Sequence, residues 1–296
     1  MFNIIGRTRI FLTVAAILVF ASLAVIAAFG FRQGIDFAGG TLWQFASKTA
    51  TPDAVREFFR AQERYAGAMV SADSEGNAFF VRLPELTEEA HQELLAPLRG
   101  RFEGVEELGF QSVGPSVGRE LRRNAVVALI LALFAISLYV AFVFRKVSRP
   151  VASWKYGVIT LLTLFHDVAI PAGLLALLGR TFGVEVDSTF VVALLVVMGF
   201  SVHDTIVVFD RIREHLALDR GRTDFADIVN ASVNQTIARS VNTSLTLVIV
   251  LLALLVAGPP SLFYFLVALL VGVVAGTYSS ICVASPLLVA WQTRSS

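Results

Sequence analysis

The sequence predicts a mostly α membrane protein: six transmembrane helices, with one α+β domain between the first and second. Three observations carry this. Of 296 residues, 56% are apolar and only 16% charged, and mean hydropathy is +0.72, outside the soluble range. Six stretches, about 10–30, 124–144, 157–179, 188–209, 238–257 and 262–290, reach the roughly 20 apolar residues that cross a bilayer core as helix. One long segment, 31–120, instead mixes charge with short periodic elements. The expected organisation is therefore 1–30 as N-terminus and first helix, 31–120 as an extramembrane domain, and 121–296 as a five-helix bundle.

Taken in order, Arg7 and Arg9 precede an apolar run from Ile10 to Phe29 that resembles a signal peptide. It is too long for a typical signal core and no clear small-residue cleavage site follows, so a retained anchor is expected. "GTLWQFAS" reads as a strand. "TPDAVREFFRAQ" reads as a helix, with Thr51 as N-cap, Pro52 at the first position, and Val55, Phe58 and Phe59 on one face. "YAGAMVSA" and "NAFFVRLP" read as strands flanking the turn "DSEGN". "TEEAHQELLAPLRGRF" gives a second helix capped by Thr87 with Leu94, Leu95 and Leu98 inward, and "VEELGFQSVG" a last strand. That βαββαβ order is ferredoxin-like.

Further along, "TDFADIVNASVNQTIARS" repeats Phe225, Ile228, Val229, Val233 and Ile237 at helical spacing. It is expected to lie along the membrane interface before the fifth span. In the sixth span Gly272 and Gly276 form a small-xxx-small pair suited to close helix packing.

Short positive loops stay in the cytoplasm. Arg145, Lys146, Arg149 and Lys155 follow the second span, and Arg211, Arg213, Arg220 and Arg222 follow the fourth. The loop after the third span sets Arg180 against Glu185 and Asp187, and the last loop is the uncharged "GPPS". Both termini are then cytoplasmic and residues 31–120 extracytoplasmic.

A net charge of +1 and the lack of a dense basic cluster argue against nucleic-acid binding. The single cysteine, Cys282, excludes an internal disulfide and a cysteine-rich zinc site. No cofactor is expected.

Ionisable residues inside lipid cost on the order of 2.5–3.5 kcal/mol each and persist where they pair or line a polar cavity. Three sites stand out: His166 and Asp167 in the third span, His203 and Asp204 in the fourth, and Arg239 opening the fifth. Thr205 adjoins Asp204, and Asn242, Thr243 and Ser244 continue the polar stripe beyond Arg239. A buried carboxylate favours its neutral form and a nearby guanidinium its charged form. An aspartate whose distance to an arginine changes therefore takes up and releases a proton. Residue types alone leave two readings for Asp204 and Arg239, a proton-switched pair or a static ion pair that fixes register. His166 and Asp167 are read as supporting polar groups. A metal site built from both His-Asp pairs is disfavoured, because adjacent residues on a helix point about 100° apart. An aspartyl-protease pairing of Asp167 with Asp204 lacks the glycine-flanked motifs such enzymes carry.

"GIDFAGGT", "SVGPSVGREL", "HDVAI", "GFSVHDTIVVFDRIRE" and "ARSVNTSLT", in this order along nearly the whole chain, resemble the SecF side of the SecD/SecF family, part of the resistance-nodulation-division superfamily. The resemblance implies an auxiliary, non-enzymatic subunit of Sec protein export that couples proton flow to late preprotein translocation. It implies SecD as partner in a separate chain, the SecYEG channel, YajC and YidC as further associates, the preprotein as client, and the bacterial inner membrane as location. By motif the family's proton-coupling aspartate and arginine fall on Asp204 and Arg239. The family most often has asparagine where this chain has His203, which is either an equivalent donor or a member of the proton path. Asp36, Gly39 and Gly40 are expected to be structural. Asp210, Arg211, Arg213 and Glu214 are expected to fix a helix end and contact partners. The alternatives are a proton-coupled half-transporter for a small molecule or lipid, and a non-catalytic translocon scaffold.

Overall fold

The structure, a computed structural model, describes residues 2–72, 77–146, 151–219 and 222–293. The turn expected at "DSEGN" and the basic residues Arg149 and Arg220 fall outside the described residues, wholly or in part. The chain forms two compact units, Met1–Arg32 with Val126–Ser296, and Gln33–Ala125.

In the smaller unit the elements run α2 (Ile35–Ala38), β1 (Gly40–Ala46), α3 (Pro52–Arg60), β2 (Met69–Ala72), β3 (Ala78–Leu83), α4 (Glu88–Arg101) and β4 (Glu106–Val113); α1 is Thr8–Phe29 in the larger unit. The sheet order is β2-β3-β1-β4 with every pairing antiparallel. Alternation fixes the register: Trp43 and Phe45 on β1 and Phe79 and Val81 on β3 are fully buried, because side chains two apart share a face. Helices α3 and α4 cover that face with Val55, Phe59 and Leu98. Thr51 caps α3 by accepting from Ala54 N at 3.3 Å, and Thr87 caps α4 by accepting from Ala90 N at 3.4 Å.

Gly39 (φ +78°) and Gly40 (φ +121°) turn the chain from α2 into β1, a conformation L side chains avoid. A Cβ on Gly39 would lie 2.9 Å from Pro115 Cα. Asp36 is buried and accepts from Gln111 Nε2 at 3.1 Å.

The larger unit holds α1, most of α5 (Pro115–Val143), α6 (Ser153–Phe182), α7 (Ser188–Asp219), α8 (Phe225–Ala257), α9 (Phe263–Ser279), a π-helical turn (Ser280–Ala284) and α10 (Ser285–Thr293). With the last three counted as one, six helices are long and apolar enough to cross a membrane. Two boundaries differ from the sequence expectation. Helix α5 begins at Pro115, because Arg119, Glu120, Arg122 and Arg123 are compatible with helix but invisible to a hydropathy count. The amphipathic stretch before the fifth span is helical, as its spacing predicts, and forms one helix with that span. Asp224 caps it and it continues unbroken to Ala257, with Val229 and Val233 fully buried against Val208 and Phe209. The sixth span is interrupted by the π turn that carries Cys282.

Helices α6, α7 and α9 form the interior. The two glycines of α9 allow this, since a Cβ on Gly276 would lie 2.9 Å from Ser201 Cβ, and one on Gly272 would overlap Val197.

Candidate functional site

Two carboxylates are buried among these helices, and their surroundings differ. Asp167, on α6, is fully buried. Its Oδ1 lies 2.8 Å from His166 Nδ1, and its Oδ2 accepts from Ser279 Oγ at 2.8 Å and also from Ser201 Oγ. Three polar groups from α6, α7 and α9 thus converge on one carboxylate, a well-satisfied arrangement for a buried charge.

Asp204, on α7, is only 2% exposed and far less well served. Ser244 Oγ on α8 lies 3.4 Å from its Oδ2, but the same hydroxyl lies 2.8 Å from Ser240 O in its own helix. One proton cannot satisfy both acceptors. Thr277 Oγ1 on α9 sits 2.6 Å from Ser244 Oγ and 2.8 Å from Val273 O, so a second helix meets Ser244 rather than Asp204. A neutral Asp204 has a proton to donate to Ser244 Oγ, and an ionised one has only a contested donor.

Of the other residues singled out in the sequence, Arg239 is exposed on α8. Among the described residues no ion pair joins it to Asp204 or any other carboxylate. It lines an open polar groove of about 320 Å³ with Asp210, Arg211, Glu214 and Gln235. His203, beside Asp204 in sequence, is exposed on α7. Thr205 is buried but returns its hydroxyl to Ser201 O at 3.2 Å. Thr243 is exposed and bonds Arg239 O at 2.9 Å. The acidic and basic residues at the end of α7 pair locally, Arg213 with Asp210 at 3.0 Å and Arg211 with Glu214 at 2.5 Å. Among the described residues no cluster of three histidine, cysteine or acidic side chains suits a metal ion.

Sequence reasoning missed Ser201, Ser279 and Thr277. Ser201 lies one helical turn before Asp204, and the "GTYSS" run of the sixth span follows its second packing glycine; those were the available signals.

The chain matches two family descriptions, "Protein export membrane protein SecD/SecF, C-terminal" over residues 96–294 and "SecD/SecF GG Motif" over residues 24–49. It is 44% identical to the protein translocase subunit SecF of Thermobaculum terrenum, across 99% of this chain and 95% of that protein. It is 40% identical to the SecDF subunit of Thermus thermophilus across 99% of this chain, spanning 39% of that longer protein. The crystal structure of Thermus thermophilus SecDF superimposes with a TM-score of 0.83 at 38% identity, over 99% of this chain and 39% of that one. With six apolar helices and these relatives, the chain is a multi-pass membrane protein of the SecD/SecF family, which serves protein export.

Proposed function

We propose that the chain works with a SecD-type companion to couple proton flow to late steps of preprotein translocation, with Asp204 as the proton-binding group. The observation that carries this reading is Asp204 itself: a carboxylate 2% exposed in the middle of an apolar helix, with one contested hydroxyl as its hydrogen-bond partner among the described residues. A static structural charge is normally paired or fully bonded. Asp204 is neither, whereas Asp167 is met by groups from three helices, of which Ser279 Oγ also lies 3.1 Å from Gly276 O.

Arg239 stands on the neighbouring helix, facing a polar groove. In this reading it is a mobile counter-charge that approaches Asp204 in another state of the cycle. The groove is the water-filled approach from the cytoplasmic side, where both chain termini lie. The smaller unit, whose β2-β3-β1-β4 sheet order is that of ferredoxin-like domains, stands on the extracytoplasmic side and contacts the emerging polypeptide with its counterpart from the companion. SecYEG, YajC and YidC are the expected neighbours in the membrane.

The test is Asp204→Asn. The variant assembles and accumulates normally, and export ceases to respond to the proton gradient. A scaffold would tolerate the change.

A further inference from the structure

The well-bonded carboxylate raises a question of its own. Asp167 receives three hydrogen-bonding groups, yet the histidine beside it is incompletely bonded. His166 is 3% exposed. Its Nδ1 is engaged by Asp167 Oδ1 at 2.8 Å, and its Nε2 is buried with no hydrogen-bond partner among the described residues. Orphaned buried nitrogens are costly and rare, and each calls for a physical reason.

With Nδ1–H donating to Asp167, Nε2 carries a bare lone pair. It is the one member of the cluster with a vacant acceptor of high basicity. Ser201 and Ser279 hold Asp167 in place from α7 and α9, so the carboxylate is fixed as a counter-ion whichever state the imidazole takes. The arrangement, a histidine oriented by a carboxylate that is oriented by hydroxyls, sets tautomer and direction for proton transfer.

We propose that His166, positioned by Asp167, Ser201 and Ser279, is a second proton acceptor in the helical unit, working in series with Asp204. This rests on the proton-coupled reading above. The step is a proton transfer alone. A proton arriving by water binds the Nε2 lone pair, the dyad passes from one negative charge to net neutral, and release to water restores it. No bond other than N–H forms or breaks.

The titratable groups around His166 are few. Asp167 shares its helix. Tyr278 of α9 lies with its ring 6.0 Å away, its hydroxyl already donating to Phe11 O at 2.8 Å. The packed part of α1, from Phe11 to Phe29, has none. Helix α7 brings Asp204 and the exposed His203, and the π turn brings Cys282. The two buried acidic centres are linked through structure: Ser201 is three residues before Asp204 on α7, and Thr277, beside Ser244, is two residues before Ser279 on α9.

The deciding experiment follows the histidines of the full chain, labelled with 15N and held in lipid nanodiscs, through a pH titration. The chain has 4 histidines, and His166→Gln assigns the resonance. His166 is expected to pass from its Nδ1–H tautomer to imidazolium as pH falls, and Asp167→Asn to abolish that transition. A His166 that keeps one protonation state, or a transition indifferent to Asp167→Asn, overturns the proposal. Export measured in membrane vesicles with the companion subunits gives the second arm. His166→Gln is expected to lower gradient-dependent export by about tenfold or more. Full export in His166→Gln beside its loss in Asp204→Asn overturns the second acceptor and leaves the wider reading standing. Full export in both overturns the wider reading, and with it the series arrangement.

Discussion

Asp204 has Ser244 Oγ at 3.4 Å, and the worth of that contact is open to a conservative test. Ser244→Ala removes the hydroxyl at 3.4 Å from the carboxylate, while Ser244→Thr keeps one. A hydrogen bond to a charged group contributes about 1.5–3 kcal/mol. Ser244→Ala is therefore expected to reduce gradient-dependent export by roughly tenfold, with Ser244→Thr near wild type; equal activity in all three would remove Ser244 from the site. His203 is expected to behave differently. It is exposed and forms no hydrogen bond to Asp204 among the described residues, so His203→Asn should retain export at normal protein level, and complete loss would put its imidazole in the proton path. At this scale the sequence is informative about cost and silent about partners. A lone charge in an apolar run, such as Asp204, announces itself. Ser279 does not, because serine in a helix commonly bonds its own backbone, and only the folded contact between α6 and α9 reveals that this one serves Asp167.

Among the elements, α9 carries the closest constraint. Its Gly276 backs onto Ser201, whose hydroxyl reaches Asp167. Gly276→Leu forces the helices apart, and overpacking of this kind costs about 1–3 kcal/mol. A lowered unfolding midpoint in detergent is expected, and an unchanged one would show that the helices tolerate separation. In the smaller unit Phe59 is fully buried, and Phe59→Ala is expected to destabilise that domain by about 3–5 kcal/mol, read by chemical denaturation. Glu88 supplies a pH signature there. Its bond from Gln92, then that from His91, holds its carboxyl below the ordinary 4.5. A lowered folded-state value stabilises above the ordinary one and is lost as pH falls below it, so Glu88→Gln should flatten the acid limb of the domain's stability curve; an unchanged limb would contradict this. The caps Thr51 and Thr87 and the alternating strands were readable because local chemistry dictates them. The true start of α5 was not, because hydropathy registers apolar length and a helix continues through charged residues. The π turn in the sixth span had no local signal at all.

For the whole molecule, the six spans and the intervening α+β unit were legible from composition and periodicity alone. What pairing of Asp204 and Arg239 suggested was different: the sequence places them one helix apart as a candidate ion pair, and the structure sets Arg239 in an open groove with Asp204 among hydroxyls. A pair separated in this state is compatible with a cycle that brings it together, and that cycle needs Asp204 to titrate. The direct measurement is export into membrane vesicles containing the chain and its companions, with and without a proton gradient, for wild type and Asp204→Asn. Normal assembly of Asp204→Asn with export no longer raised by the gradient is the expected result. Gradient-stimulated export at the wild-type level in that variant would contradict proton coupling through Asp204.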